Sequence, residues 1–124
     1  MIKEFNSLEE IQKYYDEDTN TYIFKENGSY IDLVVLNFDL DVEANIDAGC
    51  IDALNINAVN IKAWDVYTRD LNAYDIVAWS IYAWNIEAYN IFVYDNIKCE
   101  SIKGRRENAK HFVLDGKLEI KYGQ

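Results

Sequence analysis

The sequence predicts a mainly-β chain built around a short solenoid, and three observations carry that prediction. Residues 45–94 divide into ten consecutive five-residue units. The second residue of every unit is branched aliphatic, and the fourth is alanine in eight of the ten. The flanking segments hold capping and turn signals instead of repeats, which predicts a helix plus hairpin at the N-terminal end and a hairpin at the C-terminal end.

The units read NIDAG, CIDAL, NINAV, NIKAW, DVYTR, DLNAY, DIVAW, SIYAW, NIEAY and NIFVY. On an α-helix a five-residue step advances about 500°, so the aliphatics would spiral round every face. On a straight strand an odd step sends alternate aliphatics to opposite faces. A chain that turns a corner every five residues buries all of them, and such units stack because each needs a neighbour to cover its apolar side. Within a unit the aliphatic and the alanine lie two apart, so both point inward with one side chain outward between them. Asn or Asp opens eight of the ten units. Short polar side chains suit corners, where they bond to nearby backbone, so their recurrence is read first as architecture.

The N-terminal segment, residues 1–36, is expected to form a cap. SLEEIQKYYDE, residues 7–17, has an N-cap serine, a glutamate three residues on, and Leu8, Ile11 and Tyr15 at helical spacing. TYIFKENGSYIDLVVLNF then reads as two strands around Asn27-Gly28. Residues 37–95 are the solenoid. Residues 96–124 are a connector, including the basic run GRRENAK, followed by a hairpin, HFVLDGKLEIKY, around Asp115-Gly116. Caps of this kind shield the open edges of a sheet stack. The 124 residues fit one domain.

The polar-then-aliphatic step resembles that of the pentapeptide-repeat family, whose units place Asn or Asp just before a central Leu or Phe. The resemblance covers residues 45–94 and, more loosely, NFDL and DVEA at 37–44. It implies a right-handed, four-sided β-helix with one unit per side. The chain departs from the family two residues before the aliphatic. There the family prefers a small side chain and this sequence places Trp64, Tyr74, Trp79, Trp84 and Tyr89.

Charge is unevenly spread. The formal net charge is −10. Residues 37–95 hold ten acids against Lys62 and Arg69, a net of −8, whereas residues 96–124 hold seven bases against four acids. With four units to a coil, two neighbouring sides would carry Asp47, Asp52, Asp65, Asp70 and Glu87 against Arg69. The other two would carry Asp75 and Lys62 with Trp64, Trp79, Tyr82 and Trp84. That map predicts an acidic flank opposite an aromatic one. Charge would then fall at about one per 1.8 Å of solenoid, against about one per 1.7 Å for duplex DNA. The rings have two readings, corner-on-corner packing within the core or an exposed patch for a partner or a second copy.

Catalytic signals are weak. His111 is the one histidine, no Ser or Cys has an acid–base partner at a motif spacing, and five glycines form no phosphate loop. The carboxylates recur with the repeat. No metal set, cofactor or enzyme activity is expected. Cys50 and Cys99 read as free thiols, and the absence of an apolar run or leader predicts a cytoplasmic protein.

Three functional expectations follow. Some proteins of the family that the repeat resembles occupy the DNA site of topoisomerases, and small acidic mimics of DNA block nucleases, anti-CRISPR inhibitors among them. By that resemblance, Asp47, Asp52, Asp65, Asp70, Asp75 and Glu87 would stand in for phosphates on a partner with a basic nucleic-acid-binding surface. Lys103, Arg105, Arg106 and Lys110 would touch the partner or its RNA. Alternatively, Trp64, Trp79, Tyr82 and Trp84 make the chain a protein-interaction or scaffolding module. In the third reading the basic segment is the functional end and the solenoid only supports it.

Overall fold

In the computed structural model, residues 1–103 and the backbone of Leu118–Ile120 are described. Strands of consecutive coils pair in parallel about 15 residues apart, in about five stacked turns. Ile46 lies beside Ile61, Ile61 beside Ile76, and Ile76 beside Ile91. Fifteen residues are three units, so each coil has three sides, and the four-sided expectation is overturned. Both cross-sections place every aliphatic inside, so the five-residue period alone does not choose between them.

Each side is one sheet, and the three contain six, five and seven strands. The first carries Ile51–Ala53, Asp65–Tyr67 and Ser80–Tyr82, ending at Ile97–Lys98. The second carries Asn55–Asn57, Asp70–Asn72 and Asn85–Glu87, ending at Ser101–Lys103. The third carries Asn45–Asp47, Asn60–Lys62, Asp75–Ala78 and Asn90–Val93. From their outward residues we call them the tyrosine side, the polar side and the mixed side.

The interior consists of matched columns. Leu33, Ile51, Val66 and Ile81 stack under the tyrosine side, and Leu40, Ile56, Leu71 and Ile86 under the polar side, all buried. The alanines fill the space toward each corner, as Ala73, Ala78 and Ala88 do. Backbone hydrogen bonding continues round the corners. Trp79 N donates to Trp64 O at 2.7 Å, and Trp84 N to Arg69 O at 2.9 Å.

Short polar side chains at the first position of most units are architectural, as expected, but the following bonds run as ladders to another side chain one coil away and not to nearby backbone. Asn85 Nδ2 donates to Asp70 Oδ1 at 2.9 Å, Ser101 Oγ to Asn85 Oδ1 at 2.8 Å, and Asn90 Nδ2 to Asp75 Oδ1 at 2.8 Å.

The N-terminal cap is an aromatic plug. Phe5, Tyr14, Tyr22 and Phe24 are buried together, with the Tyr14 and Phe24 rings 5.1 Å apart. The helix is shorter than its pattern implied. Leu8–Ile11 is α-helical, Gln12–Tyr14 is a 3₁₀ turn, and Tyr15–Asp16 already pairs with the strand Thr21–Ile23. The Glu10 carboxylate accepts from the Ser7 backbone N–H at 3.1 Å, as a capping box requires. Tyr14, at the end of that 3₁₀ turn, is buried in the plug.

Asn27-Gly28 makes the expected hairpin, with both residues at positive φ, but it joins only Lys25–Glu26 to Ser29–Tyr30. The strands beyond it enter different sides, Thr21–Ile23 beside Asn45–Asp47 and Asp32–Val35 beside Ile51–Ala53. The hairpin therefore replaces one corner of the first coil. The chain crosses closely over Gly49, where an added Cβ would meet the Asp32 carboxylate and lie 2.9 Å from Ile31 O. That crowding explains a glycine where the next two coils place Trp64 and Trp79.

The stack runs past residue 95, because Ile97 and Ile102 continue the inward columns after one added corner residue. Leu118–Ile120 pairs in parallel with Asn90–Val93 and so extends the mixed side. The expected turn at Asp115-Gly116 lies outside the described residues. No helix among the described residues is long and apolar enough to cross a membrane.

Candidate interaction surface

Three residues to a side leave one outward side chain per strand, so the register fixes each surface column. The tyrosine side presents Val34, Asp52, Tyr67, Tyr82 and Lys98 in coil order. The Tyr67 and Tyr82 rings stack 4.9 Å apart at 9°. Partial burial, then the nearby Asp65 charge and the Tyr82 ring, push the Tyr67 hydroxyl pKa upward, so it stays a neutral donor.

Aromatic corners border this side on both edges. On one edge Trp64, Trp79 and Tyr94 stack coil on coil, with centroids 5.7 Å and 5.4 Å apart. On the other, the Arg69 guanidinium lies over Trp84 at 5.1 Å. Trp64 is 55 % exposed and Trp84 56 %. Both readings of the aromatics therefore hold in part. The rings pack on one another along corners, yet their outer edges face solvent.

Two grooves flank the rings. One, of about 620 Å³, runs between Tyr67 and Tyr82 on one wall and Arg69 and Trp84 on the other, with Asp52 and Lys98 also lining it. The second, of about 390 Å³, lies on the mixed side between Lys62 and Val77 and the Trp64–Trp79–Tyr94 stack.

The acidic residues do not gather. Asp52 projects from the tyrosine side, Asp47 from the mixed side and Glu87 from the polar side. Asp65, Asp70 and Asp75 open the tyrosine, polar and mixed strands of successive units, at three different corners. The acidic flank drawn on four-unit coils is thus divided over three sides and three corners. Several of these carboxylates also bond within the fold. Asp70 and Asp75 accept from Asn85 and Asn90, Glu87 from Asn72 at 3.1 Å, and Asp47 from the Tyr30 hydroxyl at 3.1 Å.

Of the aromatic residues singled out from sequence, Trp64, Trp79, Tyr82 and Trp84 all fall on the tyrosine side or its two corners. Sequence reasoning missed Tyr67 and Tyr94, which complete their stacks, and Lys98. Their signal was present as recurrence at three units: Tyr67 and Tyr82, Trp64 and Trp79, Tyr74 and Tyr89. Lys103 is exposed at the end of the polar side, whereas Arg105, Arg106, Lys110 and His111 lie outside the described residues.

Cys50 and Cys99 are free thiols whose pKa values burial pushes up, which makes them poor nucleophiles. Among the described residues no three His, Cys, Asp or Glu side chains converge as a metal set would. No family model, curated protein or solved structure matches this chain.

Proposed function

We propose that this chain is a non-enzymatic interaction module that binds a protein through its tyrosine side and the aromatic corners bordering it. The observation that carries this reading is the grouping of Trp64, Tyr67, Trp79, Trp84 and Tyr94, all exposed, around one side of the solenoid. Rigid rings with a polar tip bring large contact area at small entropic cost and are enriched in the centres of protein interfaces. A sugar platform is the weaker match. Stacked at 4.9 Å, Tyr67 and Tyr82 spend their flat faces on each other and offer a ligand their edges and hydroxyls.

The alternative is a DNA-mimic inhibitor of a nuclease effector or topoisomerase. It draws on the net charge of −10 and on the polar-then-aliphatic step shared with the pentapeptide-repeat family. The division of its carboxylates among three sides weighs against it, because a phosphate track needs neighbouring charges on one surface.

Capture from a cell lysate separates the two, with bound proteins identified by mass spectrometry. The bait is the chain itself, its Trp84→Ala variant, or a variant carrying Asp47→Asn, Asp52→Asn and Glu87→Gln. We expect a partner that withstands high salt and binds Trp84→Ala at least tenfold more weakly, as loss of an aromatic anchor does. Capture that vanishes at high salt and in the carboxamide variant, while Trp84→Ala keeps it, would overturn the aromatic reading in favour of the mimic.

A further inference from the structure

We infer that the tyrosine side is a self-complementary surface on which two copies of this chain pair with their solenoid axes antiparallel. The inference rests on the reading above and names the occupant of that surface.

The argument is one of order along the column. After Glu4 and Val34 in the N-terminal cap, the outward residues of the next four coils are Asp52, Tyr67, Tyr82 and Lys98. One end is anionic, the other cationic, and the centre aromatic. Neither Asp52 nor Lys98 forms an ion pair among the described residues. They stand three coils apart, roughly 14 Å at ~4.8 Å per coil, which is too far to pair within one chain.

A two-fold axis along the strand direction, between the coils of Tyr67 and Tyr82, reverses the column of a facing copy. Tyr67 then meets Tyr82 of the second copy, and Asp52 meets Lys98, twice over. An isologous interface demands this reciprocity, residue i on j and j on i.

The same operation keeps each corner opposite its own copy. Arg69 falls opposite Trp84, repeating across the interface the contact that the two already make within one chain at 5.1 Å. On the other edge Trp64 falls opposite the second copy's Trp79, and the segment that crosses over Gly49 stands at the level of its Tyr94. One mismatch, Leu54 opposite Glu100, sits at the rim. A parallel pairing fails the charge test, because it sets Asp52 on Asp52 and Lys98 on Lys98. Neither other side has this order. The polar side presents no aromatic ring, and the mixed side runs Asp47, Lys62, Val77, Phe92.

The area sets the strength. A side about five residues wide at ~3.3 Å each, over four coils, offers a footprint of roughly 300 Å² before side-chain relief. Stable complexes bury about 800 Å² per partner. The pair is therefore a weak, reversible dimer, held at high salt by its aromatic centre and tightened at low salt by its charged ends.

The test is sedimentation equilibrium on the whole chain from about 1 to 500 µM, with Asp52→Lys, Lys98→Asp and the double variant. Both positions are exposed, so the fold should survive, and circular dichroism checks that it does. We expect each single variant to raise the dissociation constant about tenfold and the double variant to restore it, because the reversed charges again oppose each other. A monomer throughout this range overturns the dimer and leaves the interaction reading to be judged by the Trp84→Ala capture. A dimer that the double variant does not restore overturns the antiparallel register. A dimer indifferent to all three variants and to Trp84→Ala places the contact elsewhere, and overturns the dimer on this side and the aromatic surface together.

Discussion

The tyrosine and polar sides share one interior and differ only outside. Beneath them run equivalent columns, Ile51, Val66 and Ile81 against Ile56, Leu71 and Ile86. Above them, one side displays the stacked Tyr67 and Tyr82 rings, and the other, though it too lies between aromatic corners at Trp84 and at Tyr74 and Tyr89, displays Asp41, Asn57, Asn72, Glu87 and Lys103. The lesson is a division of labour within the five-residue unit. Its second and fourth positions build the solenoid, while its third and fifth are free to carry recognition.

The sharpest way to break that comparison is to cut both columns at equivalent points. Ile81 and Ile86 are fully buried in consecutive units of the same coil. Ile81→Ala and Ile86→Ala should each cost about 3 kcal/mol, transfer plus cavity, measured by urea denaturation. Equal losses within about 0.5 kcal/mol support an interior indifferent to what stands above it. A much larger loss at Ile81 would mean that the tyrosine stack contributes to the core, and the division of labour would fail.

How far the sequence carried this picture depends on the same division. The inward columns were legible because all ten aliphatics obey one period, and only a chain that turns every five residues buries them together. The helix cap at Ser7 and Glu10 was legible because its chemistry is local. The number of sides was not, since three and four units per coil satisfy the same period. The choice appears in the outward residues, where Tyr67 repeats at Tyr82 and Trp64 at Trp79, because like rings gain by stacking on like rings. Missing that lag merged acids from different sides into one face. The hairpin at Asn27-Gly28 was found, but its strands were assigned to each other. Turn chemistry fixes the turn, whereas pairing beyond it is decided by the neighbouring coils.

A smaller effect sharpens the comparison at the corner that opens the polar side. Each ladder amide there donates one coil back, Asn55 to Asp39 at 3.0 Å and Asn85 to Asp70. Asp70 carries no donor, and Asn55 Oδ1 is buried without a hydrogen-bond partner. Asp70→Asn supplies the missing donor and removes one of the excess negative charges. It should raise stability by about 1 kcal/mol in urea denaturation at neutral pH. Unchanged or lowered stability would mean that the Asn55 carbonyl is not the weak rung of this ladder.

The corresponding corner on the tyrosine side opens with Asp65, between Cys50 and Ser80. Its pKa is raised above the usual 3.8, first by burial and then by the Asp95 charge, against the pull of the Ser80 backbone N–H. A carboxyl whose folded pKa exceeds its unfolded one binds more protons when folded, so protonation favours the fold. Stability from this group therefore rises as pH falls through its raised folded pKa, and the gain is complete below the unfolded value. Asp65→Asn, already neutral, should be more stable than the parent chain at pH 7, by less than Asp70→Asn. That advantage should shrink as the pH is lowered toward 4, which paired urea midpoints at several pH values would follow. An advantage that is constant with pH would assign it to the amide's hydrogen bonding. An advantage that grows on acidification would mean that Asp65 is held in its charged form by the corner, and the sign of its shift would be reversed.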